Sequence, residues 1–230
     1  LGQENNSNVI PGLSNNSMTI RNLKDAHNIR NHIIQCLEIA DITNDYKLKK
    51  RLLSFVIIGG GFSGVETSGE LKEMIDRLLI YYKNINKSDI NLHIIESSSR
   101  LLPELDKCLG SYTSKVFKKL NISLHLNSKL EEVTSFKVYL SNKESIETNT
   151  VISTIGSSVP SLIKNSNFKL RHGKILTNEN LEIVDHQNVW ALGDCAFVPS
   201  DLNNKNVGSP PTAQFAVKQA KILAKNIILK

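Results

Sequence analysis

Residues 52–58, Leu-Leu-Ser-Phe-Val-Ile-Ile, run without a break into Gly59-Gly60-Gly61-Phe62-Ser63-Gly64 and then into a long helical pattern. An uninterrupted apolar run closed by glycines reads as a strand covered on both faces, the habit of a parallel sheet. A parallel neighbour requires a crossover, so the helix beginning near Ser63 has to carry the chain back to a second strand. Residues 91–96, Asn-Leu-His-Ile-Ile-Glu, supply that strand, and the fold class is α/β. Gly59, Gly61 and Gly64 have GxGxxG spacing. In that context the first glycine permits a tight turn, the second lets a diphosphate approach the backbone, and the third lets helix and strand pack closely. The helix N-terminus adds free N–H groups and a partial positive charge. The competing reading is a glycine-rich turn that binds nothing.

A dinucleotide fold of this type needs an acid at the end of its second strand to accept hydrogen bonds from a ribose 2′-OH, and Glu96 holds that place. Its distance from the glycines is longer than usual, the excess falling in the extended helix and the connection over residues 81–89. A carboxylate there repels a 2′-phosphate and favours NADH over NADPH; a solvated strand end is the alternative. Glu66, just beyond Gly64, suits either a helix-dipole role or a polar group near a nicotinamide. Residues 189–194, Val-Trp-Ala-Leu-Gly-Asp, read as a strand ending in Gly193-Asp194, with Asp194 placed for a sugar-like hydroxyl. The candidate cofactor set also takes in Gly60, Phe62 and Ser63, and Gly156 from a loop over residues 156–160. Pro210-Pro211-Thr212 opens a last helix reaching about residue 229.

Elsewhere, residues 1–20 read as loop, 25–41 as an amphipathic helix and 43–51 as a polar linker. Residues 107–120 read as a helix and 122–126 as a strand. Residues 132–140 and 145–153 read as an antiparallel hairpin or meander, 174–177 and 188–192 as short strands. Domain limits follow: 1–51 as a flanking segment and connecting helix, 52–152 as the nucleotide domain, 153–230 as a second flanking segment. The net charge of +6 comes from scattered lysines mixed with acids, without the Arg-rich stripe and stacking aromatics of a nucleic-acid surface, although it suits weak attraction to anionic lipid. Three cysteines, Cys36, Cys108 and Cys195, lack CxxC spacing, which argues against a zinc module or disulfide scaffold, and no metal site is expected. No apolar run approaches the roughly 20 residues of a membrane span. The chain opens on Leu1 without a Met, and a longer parent is expected.

Together, residues 55–71 (FVIIGGGFSGVETSGEL), 94–103 (IIESSSRLLP), 189–194 (VWALGD) and 210–227 (PPTAQFAVKQAKILAKNI) resemble the pyridine-nucleotide:flavin oxidoreductases, in which an NAD domain is inserted into an FAD domain. Among these the chain looks most like the type II NADH dehydrogenases, single-subunit non-pumping NADH:quinone oxidoreductases. The resemblance implies NADH on Gly59, Gly61, Gly64 and Glu96, with Glu66 near the nicotinamide. It implies FAD ribitol on Asp194, with Thr212 and Ala213 at a helix end facing the flavin. It sets Gln214 beside a quinone site, where Lys218 stands in place of the family's Gln. It further implies that a second GxGxxG and a C-terminal membrane anchor belong to a longer parent at the cytoplasmic face of a membrane, and it allows a homodimer. A soluble flavin reductase serving a ferredoxin-like or small acceptor, and a non-catalytic NAD-binding fragment, are the alternatives.

Overall fold

The computed structural model describes residues 4–5, 10–155, 157–158, 160–199 and 208–229. It divides into two compact units, residues 7–156 and residues 1–6 together with 157–230. Strand β1 (Glu4–Asn5) belongs to the smaller unit. The larger unit starts with α1 (Leu13–Asn16), β2 (Met18–Thr19), α2 (Leu23–Ile42) and α3 (Tyr46–Leu52). It continues with β3 (Ser54–Ile58), α4 (Phe62–Leu78), β4 (Asn91–Ile95), α5 (Lys107–Lys119) and β5 (Ile122–His125). Strands β6 (Leu130–Val133), β7 (Lys137–Leu140), β8 (Ser145–Glu147) and β9 (Thr150–Ser153) complete it.

Five strands form one parallel sheet in the order β2-β9-β3-β4-β5. All five residues of β3 are buried, because the sheet is covered on both sides. Phe55 and Ile57 face a helical layer that includes Ile33 and Leu37 of α2, Leu71 and Ile75 of α4, and Phe117 of α5. Val56 and Ile58 face the opposite layer, where Val133, Val138, Leu140 and Ile146 come from the antiparallel meander β6-β7-β8. The alternation along one strand thus feeds two separate cores.

Three local readings change. Residues 43–51 hold α3, whose N-cap Asp45 accepts from the Lys47 and Leu48 N–H groups and whose Leu52 is buried. Its basic residues hide a one-turn apolar contact from a composition-based reading. Residues 145–153 are two strands: β8 closes the meander, whereas β9 crosses into the parallel sheet between β2 and β3. Thirdly, α2 buries Ile29, Ile33, Cys36, Leu37 and Ala40 in the same core as the sheet. Residues 7–51 therefore lie in one compact unit with 52–152, where the sequence reading set a boundary at 52.

Helix α4 offers a simple test of packing. A Cβ on Gly69 would meet no atom within 4 Å. Gly69→Ala is therefore expected to stabilise the chain by about 0.5–1 kcal/mol through helix propensity, read as a higher denaturant midpoint. A lower midpoint would contradict the open surroundings of this position.

In the smaller unit, β10 (Ser157–Ser158) pairs antiparallel with β1. After α6 (Ser161–Lys164), strands β11 (Leu170–Arg171), β12 (Lys174–Leu176) and β13 (Ala196–Phe197) make a small mixed sheet. Helix α7 (Ala213–Leu229) closes the unit. Residues 188–192 form no named strand; Trp190 makes an isolated bridge to Glu182, and Gly193–Cys195 is a single 3-10 turn.

Candidate functional site

The β3–α4 turn lies at the carboxyl ends of the parallel strands, and its glycines have different reasons to be glycine. Gly59 adopts φ +106°, a conformation closed to ordinary side chains, while its N–H donates to the Ile95 carbonyl at 2.8 Å. A Cβ on Gly64 would stand 1.8 Å from the Gly59 carbonyl oxygen, so close contact between helix and turn excludes any side chain there. Gly61 is different. A Cβ there would meet nothing nearer than the two Glu104 carboxylate oxygens at 4.0 Å, leaving an approachable backbone surface. Gly61 is also the N-cap residue of α4, and no side chain caps that helix among the described residues. The helix end keeps its N–H groups and partial positive charge available to an anion.

Gly60 carries a constraint that the GxGxxG spacing leaves unassigned. Its N–H donates to Glu96 Oε2 at 2.6 Å, and a Cβ on it would press on Leu101 and Glu96 at 2.8–2.9 Å. The other Glu96 oxygen accepts from the Ser98 N–H at 2.7 Å and from Ser97 Oγ at 3.2 Å. Burial works against the Glu96 charge, but the N–H donors of Ser98 and Gly60 and the serine hydroxyls outweigh it and hold the carboxyl below its ordinary value. Glu96 is thus an oriented anion at the end of β4, tied across the turn to β3.

Beside it lies a cavity of about 260 Å³ bounded by Gly59, Glu96, Ser97, Ser128, Lys129 and Ile155, among others. Ser128 and Lys129, in the connection after β5, were not singled out from the sequence. Only the parallel order β3-β4-β5 brings that connection alongside Glu96. Phe62 and Ser63 are exposed in the first turn of α4. Because α4 starts at Phe62, Glu66 stands one turn inside the helix and caps nothing. It lines, with Ser63, Glu70 and Arg30, a groove of about 570 Å³ between α2 and α4.

The remaining candidates lie in the smaller unit, apart from Gly156, which falls outside the described residues. Gly193 has φ +72°, and its N–H donates to the buried Gln219 side chain of α7 at 2.8 Å. This bond joins the Gly193-Asp194 turn to α7, and Asp194 is partly exposed. Thr212 Oγ1 accepts weakly from the Phe215 N–H at 3.5 Å, just before the helix starts at Ala213. Gln214 and Lys218 are exposed on α7, the Lys218 ammonium lying 5.9 Å from the Phe215 ring centre.

The family model for pyridine nucleotide-disulphide oxidoreductases matches residues 1–220. The chain belongs to this family. Among its relatives, a probable NADH dehydrogenase of Dictyostelium discoideum is 32% identical over 98% of this chain and 49% of its own length. The type II NADH:quinone oxidoreductase of Staphylococcus epidermidis is 27% identical over 95% of this chain and 54% of its own. The chain thus spans about half the length of such relatives. Plasmodium falciparum NDH2, solved in complex with NADH, superposes with a TM-score of 0.78 at 25% identity, covering 86% of this chain and 43% of that one. The expected α/β architecture of the pyridine-nucleotide oxidoreductases is therefore the observed one.

Proposed function

We propose that the larger unit binds NADH and that the parent protein passes its hydride to a bound flavin and the electrons to a quinone. The observation that carries the reading is the glycine turn itself. Gly64 is closed by the backbone, Gly61 is open toward an uncapped helix end, and Glu96 is held charged beside them. The NADH:quinone relatives and the NADH complex support the same reading from outside this chain.

In this proposal the diphosphate lies over Gly61, receiving N–H groups from the start of α4. Glu96 accepts from the adenosine ribose hydroxyls with its remaining lone pairs, since each oxygen already serves backbone or hydroxyl donors that fix its direction. Glu66 would lie toward the nicotinamide end. In the smaller unit, the partly exposed Asp194 carboxylate and the start of α7 at Thr212 and Ala213 fit a hydroxyl-bearing chain and a group that gains negative charge. These are the features FAD would require, and bound FAD would accept the hydride and supply the redox chemistry. Gln214 and Lys218 are proposed beside the acceptor. A quinone acceptor implies a membrane surface; no described helix is long and apolar enough to cross one.

The test is a calorimetric titration of the chain with NADH and NADPH. Binding of NADH in preference to NADPH is expected, and Glu96→Ala should weaken NADH and narrow the preference by about tenfold, the scale of one charge-assisted hydrogen-bond set. Absence of NADH binding would overturn the reading, and an unchanged ratio in the variant would remove Glu96 from the site.

A further inference from the structure

We propose that Glu104 is an affinity-setting residue, an internal anion placed beside the diphosphate position that weakens nucleotide binding and speeds its release. The inference rests on the NADH reading and adds to it a residue that the GxGxxG pattern does not contain.

Glu104 lies in the connection between β4 and α5, and several interactions hold this connection over the glycine turn. Leu101 is fully buried and packs against Gly60. The Leu102 N–H donates to the Gly60 carbonyl at 2.8 Å, with Leu102 in the left-handed region at φ +50°. Leu105 N–H then donates to the Leu102 carbonyl at 3.0 Å, closing a tight turn around residues 103 and 104. The Arg100 guanidinium braces the same turn from below, donating to the Pro103 and Leu105 carbonyls at 2.7 Å each. On the far side, α5 approaches so closely that a Cβ on Gly110 would meet the Leu101 carbonyl oxygen at 2.4 Å. The backbone that presents Glu104 is therefore fixed on both flanks, and a non-glycine residue is held in a strained conformation to achieve it.

The side chain emerging from this turn brings both carboxylate oxygens to 4.0 Å from the position a Cβ on Gly61 would take, on the open face of that residue. That face is where a diphosphate needs access, and the uncapped start of α4 attracts either anion. A dinucleotide over Gly61 therefore binds with the Glu104 carboxylate close beside it and remains next to a like charge. The side chain is exposed and swings aside readily, so the residual repulsion sets the penalty. Reduced and oxidised nucleotide both carry the diphosphate, so both are held less tightly, and turnover gains from faster product release.

The experiment is a titration of the wild-type chain and Glu104→Gln with NADH and with ADP-ribose, at low and at high salt. The glutamine keeps the shape and removes the charge. Both ligands should bind about five- to tenfold more tightly to the variant at low salt, and the gap should shrink at high salt because screening acts on the repulsion alone. A structural role would instead lower the melting temperature and loosen binding at every salt concentration. Equal or weaker affinity in the variant, with NADH bound by the wild type, overturns the role of Glu104 and leaves the NADH reading intact. Failure of both proteins to bind either ligand overturns the NADH reading and this inference with it.

Discussion

Gly64→Ala is expected to cost the larger unit about 3 kcal/mol or more and to reduce NADH affinity at least tenfold, the largest effect of any single methyl group added to the turn. The added carbon would stand 1.8 Å from the Gly59 carbonyl oxygen and 2.8 Å from the carbon behind it. Neither atom is the end of a flexible side chain. Gly59 is itself fixed by its N–H bond to Ile95, and Thr154 Oγ1, bonded to the Ile58 carbonyl at 2.8 Å, blocks the other side. Relief requires α4 to move away from β3, which opens the core around Leu71 and Ile75 and widens the turn that would hold the diphosphate. Equilibrium denaturation followed by NADH titration reads both losses. The Gly69→Ala variant in the same helix controls for the glycine-to-alanine change as such. Equal midpoints for Gly64→Ala and wild type would show that the helix yields.

The second large effect is a loss of stability in mild acid centred on His93. His93 on β4 and His125 on β5 face the meander side of the sheet, with His93 Nδ1 3.1 Å from His125 Nε2. Glu144, in the β7–β8 turn, lies 3.5 Å from His125 Nδ1. A proton on His125 Nδ1 facing Glu144 leaves Nε2 as acceptor, and His93 Nδ1–H donates to it. Lys50, Lys137 and Glu147 supply the other charges around the adjoining cavity. Burial, reinforced by the neighbouring His125, lowers the His93 pKa from 6.5 to about 4. The folded chain therefore refuses a proton that the unfolded chain accepts. The resulting stabilisation is complete above pH 6.5 and declines as the pH falls toward 4. Between neutral pH and pH about 4.5, the wild type should lose about 2–3 kcal/mol more than His93→Gln, which can keep a hydrogen bond to His125 but cannot titrate. Half-buried His32, whose pKa is also lowered, acts in both proteins and cancels from the difference. Parallel pH profiles for the two proteins would show that His93 takes up its proton without cost.

How much of this was legible beforehand depends on how local each feature is. The β3–turn–α4 unit was readable because an apolar run, three spaced glycines and a helical pattern occupy adjacent residues and each has one physical reason. Helix α2 was readable for the same reason, its buried residues recurring at helical spacing. Helix α3 is not legible in the sequence because its stability comes from an Asp45 cap and a short buried contact rather than from an apolar stripe. The partner of strand β9 is not legible in the sequence, because alternation along a strand states which faces are apolar and says nothing about which neighbour pairs with it. The run before Gly193-Asp194 reads as a strand in sequence, and the structure reduces it to one bridge and a turn. A short β-branched and aromatic run is compatible with either.

The sequence by itself determined the α/β class, the position of the glycine turn between strand and helix, and the acid at the end of the second strand. These follow from chain connectivity and from the conformations glycine alone tolerates. Tertiary structure decided the rest. It joined Gly60 to Glu96 across 36 residues, put Ser128 and Lys129 beside them, set Glu104 over Gly61 and brought His93, His125 and Glu144 into one array. Each of these contacts depends on strand order and on the seating of connections over the sheet. Both are set by the burial of two apolar faces along the whole larger unit, which no local stretch of sequence encodes.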